Sequence, residues 1–164
     1  MRRTTNVYLI ATIALGLFTS GISLAGQKHL GYARTLDDLR MARALLLRTN
    51  MGTAANAPQD EVSLAVENID GAMLDISKET GSSVNPQDTP KIDSRMKWAQ
   101  RLSKGFKMLD KAELDCRTEK VNSTDAEFQK RVLDRIDQAH DRIRVAIDTV
   151  NFDYSARNMP TRND

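Results

Sequence analysis

Cysteine occurs once in this chain, at Cys116, and histidine twice, at His29 and His140. A single thiol excludes an intramolecular disulfide framework. So few imidazoles, with no glycine-rich phosphate loop, leave nucleophilic triads and nucleotide sites without their parts. Aromatic residues make up only 5% of the sequence, and nowhere do apolar and polar residues alternate over the length of a strand. The β-branched residues fall instead at helical spacings, which argues against a sheet-based fold. An excess of one charge is missing as well: Lys and Arg number 24 against 22 Asp and Glu. This interspersed balance lacks the basic footprint of a nucleic-acid-binding protein.

The first 25 residues depart from that even mixture. "MRRTTNVYLIATIALGLFTSGISLAGQ" opens with Arg2 and Arg3, continues in an uncharged apolar run from Val7 to Phe18, and reaches small residues at Ser23 and Ala25. That order predicts a cleaved secretory signal peptide at 1–25. The run is shorter than the ~20 residues of a membrane span, so no stable span is expected after cleavage. Cleavage after Ala25 leaves 139 of the 164 residues and removes two basic and no acidic ones, so the processed chain carries 22 of each sign. The expected location is periplasmic or secreted, and the remaining length suits one domain.

Four segments then show helical periodicity. Leu36, Leu39, Ala42 and Leu46 share one face of a helix predicted from Thr35, its cap, to about Thr49. Val62, Val66, Ile69, Met73 and Ile76 form a four-three seam behind Pro58, Asp60 and Glu61, which suit a helix N-terminus, and Gly81 can close that helix. Thr89 and Pro90 predict the start of a third helix, whose stripe is Trp98, Leu102, Gly105, Leu109, Ala112 and Cys116. Its place on that stripe predicts a buried Cys116. Thr124 and Glu127 form a capping box ahead of the last seam, Val132, Ile136, Ala139, Ile143, Ala146 and Val150. The predicted fold is all-α, an antiparallel up-down four-helix bundle over 35–158, preceded by an extension at 26–34 and followed by a tail at 159–164.

The halves of the chain are alike. A shift of 67 residues aligns Ile69, Asp70, Ala72 and Ile76 with Ile136, Asp137, Ala139 and Ile143; a shift of 63 lays Leu39, Ala42 and Leu46 on Leu102, Gly105 and Leu109. Shared heptads resemble one another by chance, but the repeated Ile-Asp-x-Ala favours two similar helical hairpins related by duplication. Asp70 and Asp137 would then flank the core.

The succession "LDDLRMARALL", "VENIDGAMLDISKE", "RLSKGFKMLDKAELD" and "RVLDRIDQAHDRIRVAID", behind a signal peptide, resembles small exported bacterial helical-hairpin proteins of unknown function. The resemblance covers nearly all of the processed chain through its packing positions, and it implies an exported bundle without implying an activity. The bundle layout and Met41 in the first helix also resemble the cytochrome b562-type four-helix bundle. The histidine that such a haem site implies near the end of the last helix is absent from "RIRVAIDTVNFDYSARNMP". No cofactor is therefore expected.

Three residues are candidates for metal chemistry. Asp137 and His140 stand three apart on one helix and face the same way, the spacing that carboxylate-bridged di-iron bundles use twice. The counterpart of His140 in the first half is Met73, so the second half of such a site is missing, and a structural imidazole paired with a nearby carboxylate is the plainer expectation. His29 is the third: a chain processed after Gly26 would place it third from a free amine, the arrangement that chelates copper or nickel. Lys97, Arg101 and Lys104 make a basic stripe expected to be a solvated face. The remaining methionines are too scattered for thioether copper binding.

The functional expectation is an exported, non-enzymatic bundle that binds an unknown protein or small ligand of the cell envelope through an exposed surface or an inter-hairpin groove. The alternative is a metal-binding or redox bundle. A third reading is a self-associating structural protein, a homodimer for instance, of which Cys116-linked dimers under non-reducing conditions would be a sign.

Overall fold

The computed structural model describes residues 29–47, 56–82, 89–120 and 125–157. The segment 1–25 predicted to be a signal peptide, the predicted cap Thr124 and the predicted tail at 159–164 lie outside the described residues. Four helices follow one another: α1 Leu30–Leu47, α2 Asn56–Thr80, α3 Trp98–Thr118 and α4 Ala126–Arg157. They form the expected all-α four-helix bundle. Among the described residues, no helix is long and apolar enough to cross a membrane.

The seams read from the sequence are the core. Leu36, Leu39, Ala42 and Leu46 of α1, Val62, Ile69 and Ile76 of α2, Leu102, Leu109 and Cys116 of α3, and Val132, Ile136, Ile143 and Ala146 of α4 are all buried in one cluster. Each fully buried Leu or Ile contributes roughly 1.5–3 kcal/mol of apolar transfer, so these stripes decide which faces turn inward. Each helix in the bundle has two flanks beside its seam, and the flanks select its neighbours.

Cross-helix contacts fix the directions. The Gly31 amide of α1 donates to Glu119, the Thr35 hydroxyl reaches the Ala112 carbonyl of α3, and Lys111 reaches Asp38, so α1 and α3 are antiparallel. By the same reasoning α2 is antiparallel to α4, since Arg142 pairs with Glu61 and Arg135 with Asp75. Helices α3 and α4 are also antiparallel, with Phe106 beside His140 and Cys116 beside Gln129. Round the square the order is α1, α2, α4, α3, and every adjacent pair is antiparallel. Along the chain the directions therefore run up, down, down, up, with α2 and α3 parallel on opposite corners.

That diagonal step explains where α3 begins. The sequence pattern places its start at Thr89 and Pro90, whereas the helix starts at Trp98. The chain must climb from the foot of α2 to the head of α3, and an extended segment covers about 3.3 Å per residue against 1.5 Å in a helix. Ile92 is buried on Ala44 and Leu45 of α1 as the segment passes. Asp93 accepts from the Arg95 amide in a local turn. Arg101 then bonds the Met96 and Ser94 carbonyl oxygens, so the central member of the expected basic stripe is buried and serves the connector, between the exposed Lys97 and Lys104.

The start of α1 needs the opposite correction. The helix begins at Leu30, five residues before the cap expected at Thr35. The His29 carbonyl already accepts from the Ala33 amide, and the Glu119 carboxylate, just past the end of α3, supplies the N-terminal cap through its 2.6 Å bond to the Gly31 amide. Gly31 permits this approach, because a Cβ there would lie 2.8 Å from the Asp115 carbonyl oxygen. Thr35 is buried within the helix and returns its hydroxyl to the Gly31 carbonyl. Helix α2 ends as predicted, with Gly81 at φ 67°.

Candidate functional site

Helix α4 carries chemistry on both flanks. One residue past the seam positions Ile136 and Ala139 stand Asp137 and His140, which face α3; on the other flank Gln138, Arg142 and Val145 face α2. The α3 flank that meets Asp137 lies one residue past the seam position Ala112 and presents Glu113. Glu113, Asp137 and His140 each offer a ligand atom, all within 4.8 Å of one another. Asp137 and His140 are thus brought together as their spacing implies. Glu113 escaped the sequence reading, although its position just past the α3 seam mirrors that of Asp137 on α4; what was missing was the register between the helices.

The imidazole of His140 is held tightly. The residue is only 8% exposed, and its ring stacks on Phe106 with centroids 4.5 Å apart. Its Nε2 lies 3.2 Å from the Phe106 carbonyl oxygen and 3.3 Å from Asp110 Oδ1. A carbonyl oxygen can only accept, so Nε2 carries the proton, and in the neutral ring Nδ1 keeps the lone pair. Glu113 is held in turn by Arg117, whose Nε and Nη2 approach Oε1 at 2.8 and 2.7 Å. Partial burial and the negative charge of Glu113 raise the Asp137 carboxyl above its ordinary value, against the opposing pull of Arg117 and His140.

Ion pairs also join the helices. Arg43 pairs with Asp70 between α1 and α2, Lys111 with Asp38 between α1 and α3, and Arg135 with Asp75 between α2 and α4. Between α3 and α4, His140 pairs with Asp110, and Arg117 of α3 lies close enough to Asp137 to pull its carboxyl down. The two aspartates of the repeated Ile-Asp-x-Ala therefore differ in use. Asp70 is closed by an arginine, while Asp137 faces a carboxylate and a histidine.

His29 lies elsewhere, at the foot of the bundle. Its ring stacks on Tyr32 at 5.9 Å, and Tyr32 meets Phe128 edge-on at 5.2 Å. His29 Nδ1 is 3.4 Å from Glu119 Oε1, but the approach is not aligned for a hydrogen bond and the atom is buried. The cluster of His29 and Tyr32 meets α4 at Phe128, in its first turn, whereas Asp137 and His140 stand more than two turns further along that helix. Beneath the cluster Cys116 is fully buried, and burial pushes its thiol up to about 12. Cys116 is thus a core residue, as its place on the α3 stripe predicts.

The second flank of α4 forms the inter-hairpin groove. Asn68 of α2 and Gln138, Asp141, Arg142 and Val145 of α4 line a hollow of about 370 Å³. Asn68 donates its amide nitrogen to the Leu64 carbonyl and so turns its oxygen outward for use as an acceptor. Arg142 is already paired with Glu61, and Asp141 with Arg144. The free hydrogen-bonding capacity of the groove is therefore chiefly that of two primary amides. No protein family, curated protein or solved structure matches this chain.

Proposed function

We propose that this chain is an exported, non-enzymatic four-helix bundle that acts by binding a small, polar, amide-bearing ligand of the cell envelope. The observation that carries this reading is the α2–α4 groove, whose volume lies within the usual range of ligand sites. Neutral amides from two hairpins, set beside charges that already neutralise one another, suit a ligand that is polar without being strongly charged. Export follows from the leader pattern at 1–25. The non-enzymatic reading draws support from Cys116 being buried and from the Nε2 proton of His140 being committed to a carbonyl, which removes both groups as nucleophile or proton acceptor at that atom. Duplication of a hairpin belongs to the same proposal, since α1 packs on α3 and α2 on α4, the pairs that the shifts of 63 and 67 relate.

Native mass spectrometry of the protein isolated from its own envelope fraction tests this reading. The wild type is expected to carry a stoichiometric small-molecule adduct that an Asn68→Ala, Gln138→Ala double variant loses while keeping its helical circular dichroism. A bare mass for the wild type, or the same adduct on both proteins, would overturn it.

A further inference from the structure

We propose that Glu113, Asp137 and His140 form a site for one divalent transition-metal ion of the zinc type at the α3–α4 interface. One imidazole nitrogen and two carboxylate oxygens make a donor set that zinc and its neighbours accept, with water completing the shell on the exposed side. The proposal stands apart from the groove, which lies on the other flank of α4.

Three observations converge on it. The first is the hold on the ligands. Metal-bound histidine ordinarily donates its second ring N–H to a carbonyl or carboxylate, and ligating carboxylates are themselves hydrogen-bonded. His140 has that arrangement in Phe106 and Asp110, and Glu113 has it in Arg117. The second is burial: His140 is more than nine-tenths buried, with a hydrogen-bond partner at Nε2 and a ring nitrogen left to ligate. The third is the contrast within the molecule. The flank occupied by Asp70 is closed by Arg43, whereas the equivalent Asp137 lies beside Glu113 and His140, and Asp110 stands behind the same imidazole.

The ligand atoms must draw together. At about 2.1 Å from a tetrahedral zinc, neighbouring donors are about 3.4 Å apart, against the present span of up to 4.8 Å. Asp137 is exposed and Glu113 half-buried, so their carboxylates can turn inward without moving the helices. Arg117 remains on Glu113 Oε1 as its orienting partner and leaves Oε2 for the ion.

Calorimetric titration of zinc chloride into the chelator-stripped protein is the test, repeated with cobalt to read the visible absorption of a low-coordinate site. One ion per chain is expected. His140→Gln, Asp137→Asn and Glu113→Gln should each lower the affinity tenfold or more, whereas Asp70→Asn, His29→Gln and the Asn68→Ala, Gln138→Ala pair should leave it unchanged. Should His140→Gln lose its helical circular dichroism, the decision rests on Asp137→Asn and Glu113→Gln, which alter side chains outside the core. No saturable binding, binding that survives these two changes, or binding abolished by His29→Gln would overturn the site.

Discussion

Two buried side chains at the foot of the bundle make opposite demands on the residues around them. Tyr32 is 1% exposed and its hydroxyl has no hydrogen-bond partner among the described residues, and burial together with the nearby Cys116, Glu119, Asp125 and Glu79 raises its ionisation well above the ordinary value. A buried hydroxyl without a hydrogen bond costs about 1–3 kcal/mol, so Tyr32→Phe is expected to stabilise the protein by about 1 kcal/mol, read as a higher urea midpoint at unchanged slope. A lower midpoint would mean that the hydroxyl makes a bond in solution. Cys116 is comfortable as a neutral thiol and not as a thiolate. Its ionisation rises from 9.0 to about 12 on folding; the contribution to stability is complete below about pH 9 and is lost as pH climbs towards 12, where the unfolded chain releases the proton first. Stability should therefore fall across that window, and less steeply in Cys116→Ala, which itself costs on the order of 1 kcal/mol at neutral pH through lost packing. Alkylation of native protein at pH 8 should be slow until denaturant opens the fold; rapid labelling would contradict the burial.

The helices differ in how far their sequences disclose them. The seams of α2 and α4 were legible because each repeats at four and three residues over several turns, and Gly81 supplied an unambiguous stop. The ends of α1 and α3 were not legible, for one common reason: distant residues decide them. Thr35 has the chemistry of a cap, yet Glu119 does the capping five residues earlier from just past the end of α3. Thr89 and Pro90 have the chemistry of a helix start, yet Ile92 is needed against Ala44 and Leu45, and the chain passes through a turn at Asp93–Met96 before the helix opens at Trp98. The site shows the same division. Asp137 and His140 were visible because their spacing is local to one helix, while Glu113 joins them only through the register of α3 against α4. Asp110 behind His140, and Arg117 behind Glu113, belong to that hidden register too.

At the scale of the whole molecule, the order α1, α2, α4, α3 sets two broad interfaces between the hairpins. The hairpins α1–α2 and α3–α4 meet through α1 against α3 and α2 against α4. Those surfaces hold Leu39, Leu46, Ile69 and Ile76 on one side and Leu102, Leu109, Ile136 and Ile143 on the other, all fully buried. They also carry the Lys111–Asp38, Arg135–Asp75 and Arg142–Glu61 pairs. Neither hairpin has a second layer of its own to cover its apolar face, so each depends on the other for a core. Cutting the chain within residues 83–88 should therefore leave one body. The cleaved protein is expected to elute as a single species of native size with native helical signal, since only the covalent tether is lost. A covalent tether between two halves acts like a local concentration of order millimolar. At about 1 μM protein its removal lowers the apparent stability by about 4 kcal/mol, and the denaturation midpoint should become dependent on concentration. Separation of the cleaved halves into two unfolded or self-paired fragments at 10 μM would show that the hairpins are held chiefly by the connector, and that the packing of α1 on α3 and α2 on α4 is too weak to define the fold.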